Sequence, residues 1–135
     1  MEIDKIFALA EGEMEAVEKE FEKNLDSEIS LIPVIGKYIL DSGGKRMRPL
    51  FLILSAKLAG YEGPNAVPLA AIMEFIHTAT LLHDDVVDNA HIRRGQEAAH
   101  VIWGNSAAVL VGDFLFSKSF KLLTAHGSTE ILRAV

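Results

Sequence analysis

Residues 66–88 constrain the fold more than any other stretch. Leu69, Ile72, Met73, Phe75, Ile76, Leu81 and Leu82 fall on most faces of a helix drawn through them. A helix that is apolar nearly all round must be enclosed by other helices. The spacing therefore predicts a helical bundle with this segment at its centre. The same segment ends abruptly in three acids, Asp84, Asp85 and Asp88.

The other segments agree with a bundle. Ile3, Phe7, Ala10, Met14, Val17, Phe21 and Leu25 recur every three or four residues among glutamates and lysines, which predicts one amphipathic helix over 3–25. A second helix is expected from about Asp26 to Leu40, capped by Ser27, with Pro33 in its first turn or at a kink. Asp41-Ser42-Gly43-Gly44 reads as a turn, and Pro49 as the first position of a helix running to Ala59 and closed by Gly60. After Asp88, residues 89–97 read as a polar loop and 98–103 as a short helix closed by Gly104. Asn105 or Ser106 is expected to cap a long helix to His126, ended by Gly127, and Ser128 opens one further turn. No stretch shows strand alternation. The expected fold class is all-α, one domain over residues 1–135, with about six or seven helices and short connections.

Composition removes several function classes. The 135 residues carry a net charge of −6, which disfavours nucleic acid or an anionic membrane surface as partner. There is no cysteine, so thiolate metal sites and cysteine nucleophiles are excluded, in keeping with a cytoplasmic location. The longest stretch free of Asp, Glu, Lys and Arg, Ala98–Gly112, is shorter than the roughly 20 apolar residues of a membrane span, and the N-terminus lacks a secretory pattern.

On a helix, Asp84 and Asp88 project from one face, and Asp85 lies about 100° round, placed to assist. Three carboxylates at a helix C-terminus repel one another, and the macrodipole disfavours each by a few tenths to about 1 kcal/mol. Such a cluster makes sense around a hard cation. Mg²⁺ held by Asp84 and Asp88, with phosphate oxygens and water completing its shell, fits an all-oxygen ligand set. His77 lies about two turns back on the same stripe, whereas His83 falls on a different face and reads as structural. Lys45, Arg46 and Arg48 enter at a Gly-Gly turn before a helix N-terminus, a setting that favours anions. Arg93 and Arg94 follow the aspartates by one short loop. Two basic clusters around one cation site point to two diphosphates.

With these residues in view, the chain resembles the trans-polyprenyl diphosphate synthases, above all their octaprenyl branch. The resemblance is carried by Gly44-Lys45-Arg46-Met47-Arg48-Pro49, Glu74-Phe75-Ile76-His77, Leu82-His83-Asp84-Asp85-Val86-Val87-Asp88 and Arg93-Arg94-Gly95, with support from Gly104-Asn105 and Val109–Asp113. It covers the chain as the family's N-terminal portion and implies an isoprenoid-synthase bundle. It implies that Asp84, Asp85 and Asp88 serve catalysis by holding Mg²⁺ on an allylic prenyl diphosphate, which Arg93 also contacts. Lys45, Arg48, His77 and Arg94 would bind isopentenyl diphosphate. The implied reaction adds five carbons per cycle to an all-trans chain, of the kind used for quinone side chains, and the implied assembly is a homodimer.

Ile76, Ala79 and Thr80 lie just upstream of Asp84. In this family a bulky aromatic near the last two would block the growing tail; both are small here, so a medium-to-long product is expected, octaprenyl favoured. Gln96-Glu97-Ala98-Ala99 is more acidic than the family often shows. The sequence also contains one aspartate-rich run where the family uses two, so these residues alone are expected to supply one wall of a cleft and little activity. The competing expectation is a short, non-catalytic helical subunit that dimerises with or regulates such a synthase.

Overall fold

The structure is a computed structural model that describes residues 2–42 and 44–135. In chain order it comprises α1 (Ile3–Ala8), α2 (Glu11–Leu25), α3 (Leu31–Asp41), α4 (Met47–Leu58) and α5 (Ala66–Val87). A hairpin of β1 (Ile92–Arg93) and β2 (Gln96–Glu97) follows, then α6 (Ala99–Trp103), α7 (Asn105–His126) and α8 (Thr129–Ala134). The expected all-α bundle is thus observed, with eight helices among the described residues.

The segment read as central is central. α5 packs against α7 most extensively, and also against α4, α2 and α6. Pro68, Ala70, Ala71, Ile72, Phe75, Thr78, Ala79 and Leu82 are all buried along it. Of these, Ala70, Ala71, Phe75, Ala79 and Leu82 form one core with Ile35, Leu50, Ile53 and Leu115 from neighbouring helices, in which each large aliphatic or aromatic side chain contributes about 1.5–3 kcal/mol. By length and composition α5 could also cross a bilayer, but half of its most apolar window is buried inside this bundle.

Several boundaries differ from the sequence reading. The expected helix 3–25 breaks at Leu9–Ala10, where Ala10 adopts φ −130° and ψ 20°. Lys57 Nζ donates to the freed Leu9 carbonyl at 2.9 Å and pairs with Glu13 at 2.6 Å, tying the break to α4. α3 starts at Leu31, not near Asp26, and Ser27 instead accepts from the Ile29 N–H in the preceding turn. Gly43 of the expected turn lies outside the described residues. α4 begins two residues before Pro49, which still falls in the first turn, where a missing N–H costs nothing. Gly104 (φ +89°) occupies the N-cap position of α7 expected for Asn105 or Ser106. Ser128 caps α8 as expected, accepting from the Ile131 N–H.

Among the described residues, the one strand element, residues 92–97, falls where the sequence reads as loop. Arg94 (φ +51°) and Gly95 (φ +78°) are both left-handed, the type I′ condition for a two-residue hairpin turn. Ile92 pairs with Glu97 and Arg93 with Gln96. The Tyr38 hydroxyl donates to the Glu97 carbonyl at 2.7 Å, docking the hairpin on α3. That docking fixes where the two arginines point.

Candidate active site

The end of α5 sorts its three aspartates. Asp85 is 3% exposed and faces inward, whereas Asp84 and Asp88 are exposed. Arg93 reaches back from β1 and grips Asp85 through Nε at 2.9 and 2.8 Å and Nη2 at 2.6 Å. These bonds push the Arg93 pKa up against the opposing effect of burial, with the charges of Asp85, Asp84 and Asp88 adding to the rise. The backbone of Asp88 closes the helix by donating to the Asp84 carbonyl at 2.8 Å. Asp84 and Asp88 are therefore left side by side and outward, with the nearest cation committed to Asp85.

Among the described residues, no group of three His, Asp or Glu side chains is gathered so as to hold a metal by itself. The outward pair does fit Mg²⁺, which commonly takes one or two carboxylates and completes its octahedron with water and substrate phosphate.

The basic residues converge as well. A cleft of about 490 Å³ is lined by Ser42, Gly44, Lys45, Arg46, Met47, Arg48, Glu74 and Arg94. Arg94 comes from the hairpin, the other cations from the start of α4 and the turn before it. The close approach shows at Gly44, where an added Cβ would lie 3.0 Å from Arg94 Nη1, 3.4 Å from Arg46 Nη1 and 3.6 Å from Glu74 Oε1. Lys45, Arg48 and Arg94 are exposed at this cleft. Arg46 turns inward instead. It adopts φ +54°, pairs with Glu18 at 2.8 Å and lies over the Phe21 ring at 5.2 Å. A larger cleft of about 550 Å³ also reaches the Gly44–Arg46 turn, but there Lys45 and Arg46 face four acids, Asp4, Glu11, Glu15 and Glu18, a poorer match for an anion.

His77 lies on α5 within the field of the same arginines. Burial holds its imidazole below the ordinary 6.5, and the charges of Arg48, Arg94 and Arg93 act in the same direction. Burial pushes the Glu74 carboxyl above its ordinary 4.5; Arg46, Arg48 and Arg94 oppose that rise, and Glu18 adds to it. His83 is held apart from this cluster, beside Val109 O at 3.1 Å and Asp113 Oδ1 at 3.3 Å, in the structural role expected of it.

Of the three residues assigned to product length, Ile76 and Thr80 are half-buried, and the Thr80 hydroxyl donates to the His77 carbonyl at 2.6 Å. Ala79 is completely buried in the core, so in this chain it faces packed neighbours and not an open groove. Glu74 has no role in the sequence reading, and Arg46, read there only as part of the basic turn, pairs with Glu18 instead of facing the cleft with the others. Glu74 carried a signal nonetheless, as the one acid within an otherwise uncharged stretch from Ala66 to His83.

The polyprenyl synthetase family model matches residues 29–135. The octaprenyl diphosphate synthase of Escherichia coli (strain K12) is 45% identical over 135 residues, all of this chain and 42% of that protein. That of Haemophilus influenzae is 46% identical over 132 residues, 98% of this chain and 40% of that protein. The chain thus spans about two fifths of the length of the curated relatives it matches. Among solved structures, a polyprenyl synthase from Caulobacter crescentus complexed with calcium and isoprenyl diphosphate superposes with a TM-score of 0.93 at 45% identity, covering 98% of this chain and 40% of that one. A heptaprenyl diphosphate synthase from Staphylococcus aureus gives 0.82 at 33% identity, covering 91% and 39%. On its sequence and its fold alike, the chain belongs to the polyprenyl synthetase family.

Proposed function

We propose that this chain forms one wall of the active site of a Mg²⁺-dependent polyprenyl diphosphate synthase. The enzyme would condense isopentenyl diphosphate with an allylic prenyl diphosphate to give a medium-to-long all-trans product, octaprenyl favoured. The observation that carries this reading is the convergence of Lys45, Arg48 and Arg94 on one cleft, in a chain whose α5 ends in the outward pair Asp84 and Asp88. The relatives support it, since two octaprenyl diphosphate synthases are 45% and 46% identical over 100% and 98% of this chain.

Asp84 and Asp88 would hold Mg²⁺, which neutralises the allylic diphosphate when bound. Arg93, anchored on Asp85, holds the end of α5 and the hairpin in register and brings positive charge next to that diphosphate. Lys45, Arg48, His77 and Arg94 seat the second diphosphate. When the allylic C–O bond breaks, the departing diphosphate keeps the electron pair, and fixed cations stabilise the charge that develops. The isopentenyl double bond supplies the pair for the new C–C bond, and a proton leaves the adduct. No protein nucleophile is required.

The same reading places the protein in the cytoplasm, with α5 as a core helix and not a membrane span. It also makes the protein a homodimer, for which exposed Leu110 and Phe120 on α7 offer apolar surface. The residues in hand contain one aspartate-rich run and by themselves would show little activity.

A chimera tests the reading. This chain replaces the matching 42% of the Escherichia coli octaprenyl diphosphate synthase. Mg²⁺-dependent incorporation of labelled isopentenyl diphosphate is expected, reduced roughly 10²-fold or more by Asp84→Asn. A folded chimera without activity, or one indifferent to Asp84→Asn, would contradict it.

A further inference from the structure

Two buried side-chain atoms among the described residues have no hydrogen-bond partner, Glu74 Oε2 and His77 Nε2. They lie three residues apart and so share one face of α5; Glu74 helps to line the cationic cleft, and His77 lies within the field of Arg48 and Arg94, which line it too. Glu74 is 95% buried on its 5% exposure. Its nearest cation, Arg46 Nη1, is 3.9 Å from Oε1, too far for a hydrogen bond. A buried polar atom left unpaired costs about 1–3 kcal/mol, so this pair is built for a state in which both atoms have partners. A protonated carboxyl and a protonated imidazole are donors, and the acceptor they lack is an anion.

We propose that the cleft takes up diphosphate together with a proton, and that Glu74 is the residue that binds this proton and turns from an acceptor into a donor toward the anion. The inference rests on reading the cleft as a diphosphate site. The charged groups acting on the pair come from three places: Glu18 on α2, Arg46 and Arg48 at the start of α4, and Arg93 and Arg94 on the hairpin. Among the described residues, α6 and α7 contribute no charge that acts on either group. In the free protein Arg46, Arg48 and Arg94 favour the Glu74 carboxylate against burial. A diphosphate entering the cleft cancels much of that field and adds negative charge of its own, so the proton affinity of Glu74 rises. One proton passes from solvent to the carboxylate, and no covalent bond other than that O–H changes. His77 shifts the same way and reinforces the uptake.

Glu74 thereby resolves a conflict in the design of the cleft. Four cations crowded together repel one another when no ligand is present, and a buried carboxylate lowers that repulsion. The same carboxylate would repel the ligand unless it were neutralised on binding. Proton uptake meets both requirements with one side chain.

The test is calorimetric titration of the chain with inorganic diphosphate, free of divalent metal, at pH 6 in two buffers of different ionisation enthalpy. The buffer dependence of the heat counts the protons taken up. Diphosphate's own proton change is common to the wild type and Glu74→Gln and cancels in their difference. The wild type is expected to take up more protons than Glu74→Gln. Its affinity should also fall more steeply from pH 6 to 8, by up to about tenfold per pH unit for a full linked proton. Equal uptake with intact binding overturns the proposal and leaves the cleft reading standing. Absence of binding, or binding unaffected by Arg48→Ala and Arg94→Ala, overturns the cleft reading and the proposal with it. Should Glu74→Gln fail to fold, carboxyl ¹³C resonances of the wild type provide the readout. Glu74 Cδ must move toward its protonated position on adding diphosphate, and a fixed resonance overturns the proposal.

Discussion

Arg93 holds the carboxylate of Asp85 in a two-nitrogen grip at 2.6 to 2.9 Å, and Asp85 is almost wholly buried. This pair joins the hairpin to the end of α5 and leaves Asp84 and Asp88 as the outward carboxylates. Removing one partner strands the other. Arg93→Ala is expected to cost about 3 kcal/mol, because an uncompensated buried carboxylate remains. The double variant Arg93→Ala with Asp85→Asn should recover part of it. Urea unfolding of the four proteins measures the coupling, and additive losses would show that the grip is not cooperative.

Ala79→Phe and Thr80→Phe, equivalent on the sequence reading, should now behave differently. Ala79 is fully enclosed, so a phenyl ring there overpacks the core and is expected to cost about 3 kcal/mol before any effect on product. Thr80 is half-buried and can accept the ring with little loss. In the chimeric synthase, thin-layer analysis should show shorter products for Thr80→Phe at near-normal stability. Unchanged products would remove Thr80 from the groove.

Gly112 of α7 faces the His83 ring of α5. A Cβ there would collide with the His83 ring, which cannot swing freely because Val109 O and Asp113 hold it. Gly112→Ala is expected to destabilise by about 1–2 kcal/mol despite alanine's better helix propensity. In a His83→Ala background the same change should stabilise by up to about 1 kcal/mol. Chemical denaturation of the cycle tests this change of sign.

His77 and Glu74 impose opposite pH dependences on stability. The His77 pKa is depressed on folding, so its contribution is fully present above 6.5 and is lost as pH falls from there through the folded value. That of Glu74 is raised, so its contribution is present below 4.5 and is lost as pH rises through the folded value. Thermal midpoints between pH 7.5 and 5 should therefore fall less steeply for His77→Gln than for the wild type. Parallel curves would mean that His77 titrates alike in both states.

The long elements were legible because burial and periodicity coincide in them. α5 and α7 need an apolar surface over many turns, and Gly127 ends α7 where its sequence says. The break at Leu9–Ala10 was not legible, because Ala10 keeps the three-and-four spacing and the donor that satisfies the Leu9 carbonyl there, Lys57, comes from far along the chain. The hairpin escaped because two-residue strands cannot alternate visibly, although Arg94-Gly95 supplies both left-handed residues. In the site, Lys45, Arg48, Arg94 and the aspartates were readable as types and spacings. The inward turn of Arg46 and the enclosure of Ala79 depend on which helix faces which, and no local pattern records that.

The most direct measurement is equilibrium dialysis of labelled diphosphate against the chain, with and without Mg²⁺. Two components are expected. A metal-independent one should be weakened at least tenfold by Arg48→Ala or by Arg94→Asn, the latter chosen because asparagine tolerates the positive φ of the turn. A second component should appear only with Mg²⁺ and vanish in Asp84→Asn with Asp88→Asn. Binding that ignores Mg²⁺ and survives both sets of substitutions would contradict the assignment of two diphosphate sites to this wall.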